Sequence, residues 1–328
     1  MNGRAFRRMT RRIFPNRRTR HHSGKEVMKV LITGASGLIG NAIRPALASA
    51  GHSSSALVRR TPVACEVQWN PAQPLDPRNL EGFAAIVHLA GKSISGRWSG
   101  KFKREVRESR VVGTRTLAIA AAESYRSTGQ PRVIVAASAT GYYGNRGDEE
   151  LTEESTPGSG FLAEVCQEWE SAATPAADAG VRVVNLRIGV VLAKHGGALP
   201  AMLPAFRVGL GGPVGSGRQY WSWITLDDVV GAFLFALNSE VLHGPVNAVA
   251  PAAVRNAEFV RALAKALHRP AIFPLPAFVV RTVFGEMGEA LLLGSARVRP
   301  AKLEAAGYKY RHPELGEALN ATLISSPR

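Results

Sequence analysis

The fold is decided by VLITGASGLIGNAI, residues 30–43. A short β-branched run, KVLIT from Lys29, is joined there to a helical pattern through a turn with glycines at 34, 37 and 40. Gly34 permits the tight turn, Gly37 lets the backbone approach a pyrophosphate, and Gly40 lets the helix pack closely on the strand. Around Ser36, Leu38 and Ile39 the helix start supplies N–H donors and positive potential for phosphates. The arrangement predicts a dinucleotide-binding turn. Its first two glycines stand one residue further apart than in G-x-G-x-x-G.

Outward from this turn, strands alternate with helices. The first helix runs to about Gly51, with Pro45 removing one backbone donor inside it. SSALV (54–58) reads as a second strand, VQW as a short third, the Pro/Asn/Asp-rich 70–79 as loop, and AAIVHLA (84–90) as a buried fourth. A long basic helix follows from Trp98 to Ser124. RVIVAAS (132–138) and VRVVNLR (181–187) are further strands, separated by a helix over 162–178. Continuous apolar strands between helices imply a parallel sheet covered on both faces. The expected class is α/β, a Rossmann-type doubly wound parallel sheet.

Beyond Gly189 the alternation weakens. A Gly/Pro-rich loop (209–217) is expected to act as a mobile flap beside a cleft. A Trp-containing segment (221–224), helices at 227–237 and 256–267, a Pro-rich linker and a helix from Pro313 follow. Thr225 and Asp228 have the order of an N-cap and an acidic third residue. Trp221 and Trp223 read as buried aromatics, with a cleft-lining role as the alternative. The expected organisation is an extension over 1–27, a nucleotide-binding domain over 28–250, and a smaller C-terminal substrate lobe over 251–328. Parts of 190–225 are expected to contribute to the substrate cleft.

Composition limits the partners. The 328 residues are 45% hydrophobic and 20% charged, as in a globular protein with a sizeable core. No run reaches the roughly 20 apolar residues of a membrane span. The densest, VVGAFLFAL from Val229, reads as a packed helix, so no membrane partner and a cytoplasmic location are expected. Cys65 and Cys166 have no metal or redox spacing and are expected as buried thiols, with no metal site. Of the net charge of +16, residues 1–27 hold eight arginines and Lys25 against Glu26, a net +8. TRRIF from Thr10 faintly resembles a twin-arginine export signal, but Pro15 and Asn16 stand where an apolar segment should be. A transit peptide and a patch for anionic polymers are alternatives. Translation from Met28, or an extension without catalytic consequence, is favoured. Nucleic acid is not an expected partner.

The end of the second strand should read the adenosine ribose. An acid there suits the two hydroxyls of NAD, whereas arginine pairs with the 2′-phosphate of NADP. Arg59 and Arg60 occupy the place, with no acid until Glu66, so the expected cofactor is NADP(H). After the fourth strand, Leu89, Ala90 and Gly91 form the second cofactor loop, where Gly91 allows close backbone approach.

TGASGLIG, VHLAG and ASATGYYG together resemble the extended short-chain dehydrogenase/reductases. Within them the resemblance is to an atypical epimerase-like branch, matched also in SRVVGTRTL (109–117), FLAEVCQEWE (161–170), LRIGVVL (186–192), SWITLDDVV (222–230) and the tail segment RVRPAKLEAAGYKYRHPELGEAL (297–319). It covers Met28 to about Leu323. The resemblance implies a tyrosine acid/base with a lysine four residues later, and a Ser or Thr ending strand five to hold the substrate oxygen. Ser138 matches the last. The tyrosine–lysine pair is missing: the register places Gly160 and Glu164 there, or Phe161 and Val165. Tyr142, Tyr143 and Glu164 are the remaining candidates for proton transfer. The expected activity is an NADP(H)-dependent oxidoreductase or epimerase-like reaction on a small hydroxyl- or carbonyl-bearing substrate, a sugar nucleotide among the options. A non-catalytic NADP(H) sensor or scaffold is the alternative, and a second copy of the chain is an open partner.

Overall fold

The computed structural model describes residues 27–324. The basic extension, with the alternatives weighed for it, therefore lies almost wholly outside the described residues.

Seven strands build the central sheet: β1 (Lys29–Thr33), β2 (Ser53–Val58), β3 (Glu66–Gln68), β4 (Ala85–His88), β5 (Val133–Ala139), β6 (Arg182–Ile188) and β7 (Gly244–Ala248). Their order is β7-β6-β5-β4-β1-β2-β3, and every pairing is parallel. The chain builds outward from β1 in one direction and then resumes at β4 on its other side. The switch point lies between β1 and β4, where open α/β sheets bind ligands at the carboxyl ends of their strands.

The period of two explains how short strands hold both layers. Val30 and Ile32 of β1 join a core that includes Ile43 and Leu47 of α1 (Leu38–Ser49) and Val229 and Phe233 of the helix Leu226–Asn238. Leu31, between them, joins the opposite core with Leu117, Ala118 and Ala121 of α2 (Gly100–Thr128). All three β1 residues are fully buried. The alanines let α2 lie close against the sheet.

A third core gathers Leu199, Leu203, Phe206, Trp221, Trp223, Phe259, Leu263 and Leu319. Both tryptophans are thus buried among apolar side chains. Thr225 caps the helix Leu226–Asn238 by accepting from the Asp228 N–H at 3.1 Å, as its sequence order implies.

Several expectations are corrected. The seventh strand carries Gly244 and Pro245 and has no strand-like composition; pairing with β6 creates it. The helix expected over 162–178 is two, α3 (Phe161–Ser171) and Thr174–Asp178, with Pro175 opening the second. The helix Leu199–Arg207 precedes the expected loop, where the sequence assigns no element, and the helix Ala277–Gly288 occupies part of the stretch expected as a Pro-rich linker. The 209–217 loop is fastened rather than free: Val214 N–H donates to Asn256 Oδ1 at 2.8 Å, and Gly215 N–H to Leu275 O at 2.8 Å. Cys166 is buried, but Cys65 is exposed on a loop at φ +65°. Among the described residues no helix is long and apolar enough to cross a membrane.

Candidate functional site

The loops after β1 and β4 are locked together by a buried polar chain. Thr33 Oγ1 accepts from the N–H groups of Leu89 (3.0 Å) and Ala90 (3.1 Å), so its own proton is free for His88 Nδ1 at 2.7 Å. Nε2 must then carry the ring proton and donate to Thr114 Oγ1 at 2.9 Å. Complete burial holds this imidazole neutral, with its pKa pushed down to about 4. His88 read only as a strand end in the sequence. Neither Thr33 nor Thr114 carries a signal in the sequence, because they stand 55 and 26 residues from His88, their shared partner.

The three glycines do three different things. Gly34, at φ +68°, faces Leu89: a Cβ there would lie 2.8 Å from its carbonyl carbon. At Gly40 a Cβ would sit 2.3 Å from Gly34 O, so this glycine seats the helix on its own turn. At Gly37 the nearest protein atom is Gly34 O at 3.3 Å, and the outer side of this exposed residue is open. Gly37 is the N-cap of α1 and offers no side chain to it. Among the described residues the N–H groups of Leu38, Ile39 and Gly40 consequently have no acceptor. Donors aimed past a residue without a side chain fit the phosphates of a dinucleotide. Leu89 and Ala90 are half-buried and Gly91 exposed on the facing loop.

The ribose end is more committed than its sequence implies. Arg60 donates to Glu66 Oε1 at 2.7 Å, while Glu66 Oε2 accepts the Val63 N–H at 3.0 Å. These bonds, the backbone one first, hold the Glu66 carboxyl below its ordinary range. Arg59 is exposed and engaged in no ion pair among the described residues. Arg44 of α1 also acts electrostatically on Glu66, which adds a third arginine to this corner. It stands inside a helix in sequence, so no strand-end rule finds it.

At the ends of β5 and β6 the predicted catalytic residues are brought together only in part. Ser138 is 3% exposed and donates to Glu170 Oε1 at 2.6 Å. Glu170 in turn forms a two-pronged pair with Arg187, at 2.9 and 2.8 Å. Burial opposes charge on Arg187, but the hydrogen bonds and the Coulomb attraction of Glu170 outweigh it and raise its pKa. Tyr143 is wholly buried. Its hydroxyl accepts from Arg187 Nη1 at 3.0 Å and has Asn247 Oδ1 (2.7 Å) and Thr152 O (2.9 Å) as acceptors. Burial pushes this phenol up to about 12. The Tyr143 hydroxyl is thus committed to partners inside the core. Glu164, expected to need burial for proton transfer, lies exposed and pairs with Arg107 at 3.0 Å. Gly160 caps α3 and Val165 is buried, so neither register supplies a phenol or an ammonium.

Tyr142 differs from the others. Its ring centroid is 3.4 Å from Arg187 Cζ and it meets Tyr143 edge to face, yet among the described residues its hydroxyl has no hydrogen-bond partner. Of the four candidates it alone has its polar atom uncommitted. Arg110 of α2 was not anticipated. Its Nη1 donates to the carbonyls of Lys92 (2.9 Å) and Val106 (3.1 Å), and its guanidinium lies over Trp169. A Cβ on Gly91 would come within 3.4 Å of Arg110 Cζ, so this cation underlies the second cofactor loop. A lone arginine in a helix rich in arginines carries no signal in sequence.

Comparison with known proteins agrees with this geometry. Residues 30–249 match the model described as "NAD dependent epimerase/dehydratase family". The chain belongs to that family. Residues 275–322 match a second model, described as a domain of unknown function, DUF1731. An "Epimerase family protein Mb2239" from Mycobacterium bovis is 46% identical over 293 residues, covering 88% of this chain and 96% of the relative. A crystal structure of human epimerase family protein SDR39U1 with NADPH superposes with a TM-score of 0.81 at 37% identity, covering 90% of this chain and 99% of that one. The nucleoside-diphosphate sugar epimerase of Corynebacterium glutamicum gives 0.76 at 37% identity, over 91% of this chain and 58% of that longer one. The resemblance drawn from the motifs and the doubly wound α/β fold are both borne out.

Proposed function

We propose that this protein binds NADP(H) across the β1/β4 switch point and uses it to oxidise or reduce a small hydroxyl- or carbonyl-bearing substrate. The observation that carries the reading is the start of α1: its N–H groups, without acceptors among the described residues, lie beside Gly37, whose outer face is open. Arg59 and Arg44, with Arg60 released from Glu66, favour the 2′-phosphate of NADP over the bare ribose of NAD. The NADPH in the human relative's crystal structure supports the same choice.

Bound NADP(H) supplies or accepts the hydride. The chain's part is to place the substrate oxygen and move its proton. Tyr142 is the assigned proton-transfer group: in the reducing direction its O–H bond breaks, the substrate oxygen gains the proton, and solvent restores the phenol. Ser138 holds the end of strand five through Glu170 and Arg187, and reaches substrate only if that pair opens. Arg110 supplies a fixed positive charge beneath Leu89–Gly91, where a developing oxyanion would be stabilised.

The test is a screen of aldehydes, ketones and nucleotide sugars, read by loss of reduced-nicotinamide absorbance, with Tyr142→Phe in parallel. Turnover that Tyr142→Phe abolishes while NADPH affinity persists is the expected result. Turnover unchanged in Tyr142→Phe would remove the assignment. The competing reading, an NADP(H) sensor without turnover, draws on one observation, the closure of Ser138 onto Glu170. It predicts tight NADPH binding and no consumption with any of these substrates.

A further inference from the structure

We propose that the C-terminal lobe docks on the surface of an anionic lipid bilayer, through an apolar patch with a cationic rim. The patch starts where two loops run side by side. Arg269 Nε donates to Arg207 O at 3.0 Å, Phe273 N–H to Gly211 O at 3.1 Å, and Leu275 N–H to Pro213 O at 2.8 Å. Their outer side carries Val208 (70% exposed), Leu210, Ile272 (71%) and Phe273. The helix Ala277–Gly288 leaves directly from this pair and adds Phe278 (69%) and Val283. Only Val280 and Gly288 of that helix are buried, although most of its residues are apolar. Scattered exposed apolar residues need no explanation, but a run of large ones on adjoining segments marks an interaction surface.

Charge says what covers it. From Arg187 to Leu226 the chain has no Asp or Glu, and from Phe259 to Gly285 it again has none. Those same stretches hold Arg207, Arg218, Arg261, Lys265 and Arg269, all exposed. In a protein with 25 acids among 328 residues, two acid-free stretches of 40 and 27 residues concentrate positive charge around the apolar loops. The paired apolar loops are flanked by Arg207 and Arg269, while the acids Glu286 and Glu289 stand at the far end of the following helix and are engaged by Lys103 and Arg281. Such a tip suits acyl chains beneath anionic headgroups. The contact lies in the interface plane and needs no membrane-crossing helix.

The experiment uses the full chain, so that any contribution of residues 1–27 is present in every sample. Co-sedimentation is measured with phosphatidylcholine vesicles with and without phosphatidylglycerol. The wild type should partition onto the phosphatidylglycerol vesicles and lose this at high salt. The double variant Ile272→Asp/Phe278→Asp should lower the partition coefficient about tenfold or more, and Arg207→Glu/Lys265→Glu by a similar factor. NADPH affinity should be unchanged in both, which shows that they are folded. Wild-type binding matched by both variants would overturn the proposal, because the basic extension would then suffice. No binding by the wild type would also overturn it. So would a concentration-dependent dimer in lipid-free sedimentation velocity that the Ile272→Asp/Phe278→Asp variant abolishes, since a second copy would then cover the patch.

Discussion

The ends of β1 and β4 and the ends of β5 and β6 stand side by side in one sheet, yet they are built on opposite principles. At β1/β4 the polar groups nearest the crevice are backbone donors left without partners, and the side chains behind them serve only to hold the loops. At β5/β6 nearly every polar side chain has found a partner within the fold, from Ser138 through Glu170 and Arg187 to Tyr143 and Asn247. The first arrangement keeps its hydrogen-bonding capacity for a ligand. The second spends it on internal structure, with Tyr142 as the exception. Cofactor binding and catalysis therefore need not persist together, and a chain can retain the former while its proton-transfer machinery is rebuilt.

The largest expected effect comes from the satisfied side. Arg187→Met leaves Glu170 buried without its cation and should cost about 3–5 kcal/mol in urea unfolding. Replacing both partners, Glu170→Leu with Arg187→Met, should cost much less; equal losses would mean the pair is not the source. Next, Gly40→Ala forces a Cβ against Gly34 O and should cost about 3 kcal/mol. Gly37→Ala meets no such obstacle, so it should keep its melting temperature and lose NADPH affinity. If Gly37→Ala unfolds and Gly40→Ala does not, the division of roles at the turn is wrong.

Acid should weaken the lock between the β1 and β4 loops. His88 titrates near 4 when folded and near 6.5 when unfolded, so the unfolded chain binds the extra proton between those values. Stability from this group is complete above the unfolded value and falls as pH drops toward 4. Between pH 7.5 and 5 the loss should be about 2 kcal/mol, read from urea midpoints. A His88→Gln variant should flatten that slope, and an unchanged slope would place the titration elsewhere. The smallest effect is at the ribose. Arg59→Gln with Arg60→Gln should weaken NADPH binding about tenfold, or ~1.4 kcal/mol, and leave NADH unaffected. Equal affinities of the wild type for the two cofactors would sink the arginine argument.

Much of this was legible along the chain, and the exceptions share a cause. The strand β1, the glycine turn and the start of α1 are contiguous, so their spacing carries their geometry. Thr225 with Asp228 was readable for the same reason. Strand β7 was not, because GPVNA becomes a strand only through its register with β6. The burial of Tyr143 was equally hidden: Tyr142 and Tyr143 are neighbours of one type, and Asn247 and Arg187, more than 40 residues away, decide which one is enclosed. Glu66 was noted as the first acid after Arg60, but its hydrogen bond to that arginine exists only once β3 pairs with β2.

By itself the sequence determined the alternation of strands and helices that makes a doubly wound sheet, and the turn that faces a dinucleotide. Each of these follows from local backbone preference and from hydrophobic periodicity, which act within a few residues. Only the tertiary structure decided which polar side chains remain free. Hydrogen-bond partners in a buried network come from strands and helices distant in sequence, and a donor satisfied inside the fold has nothing left to offer a substrate. That is why Ser138 and Tyr143, plausible as candidates in the chain, are occupied in the fold, while the hydroxyl of Tyr142 is not.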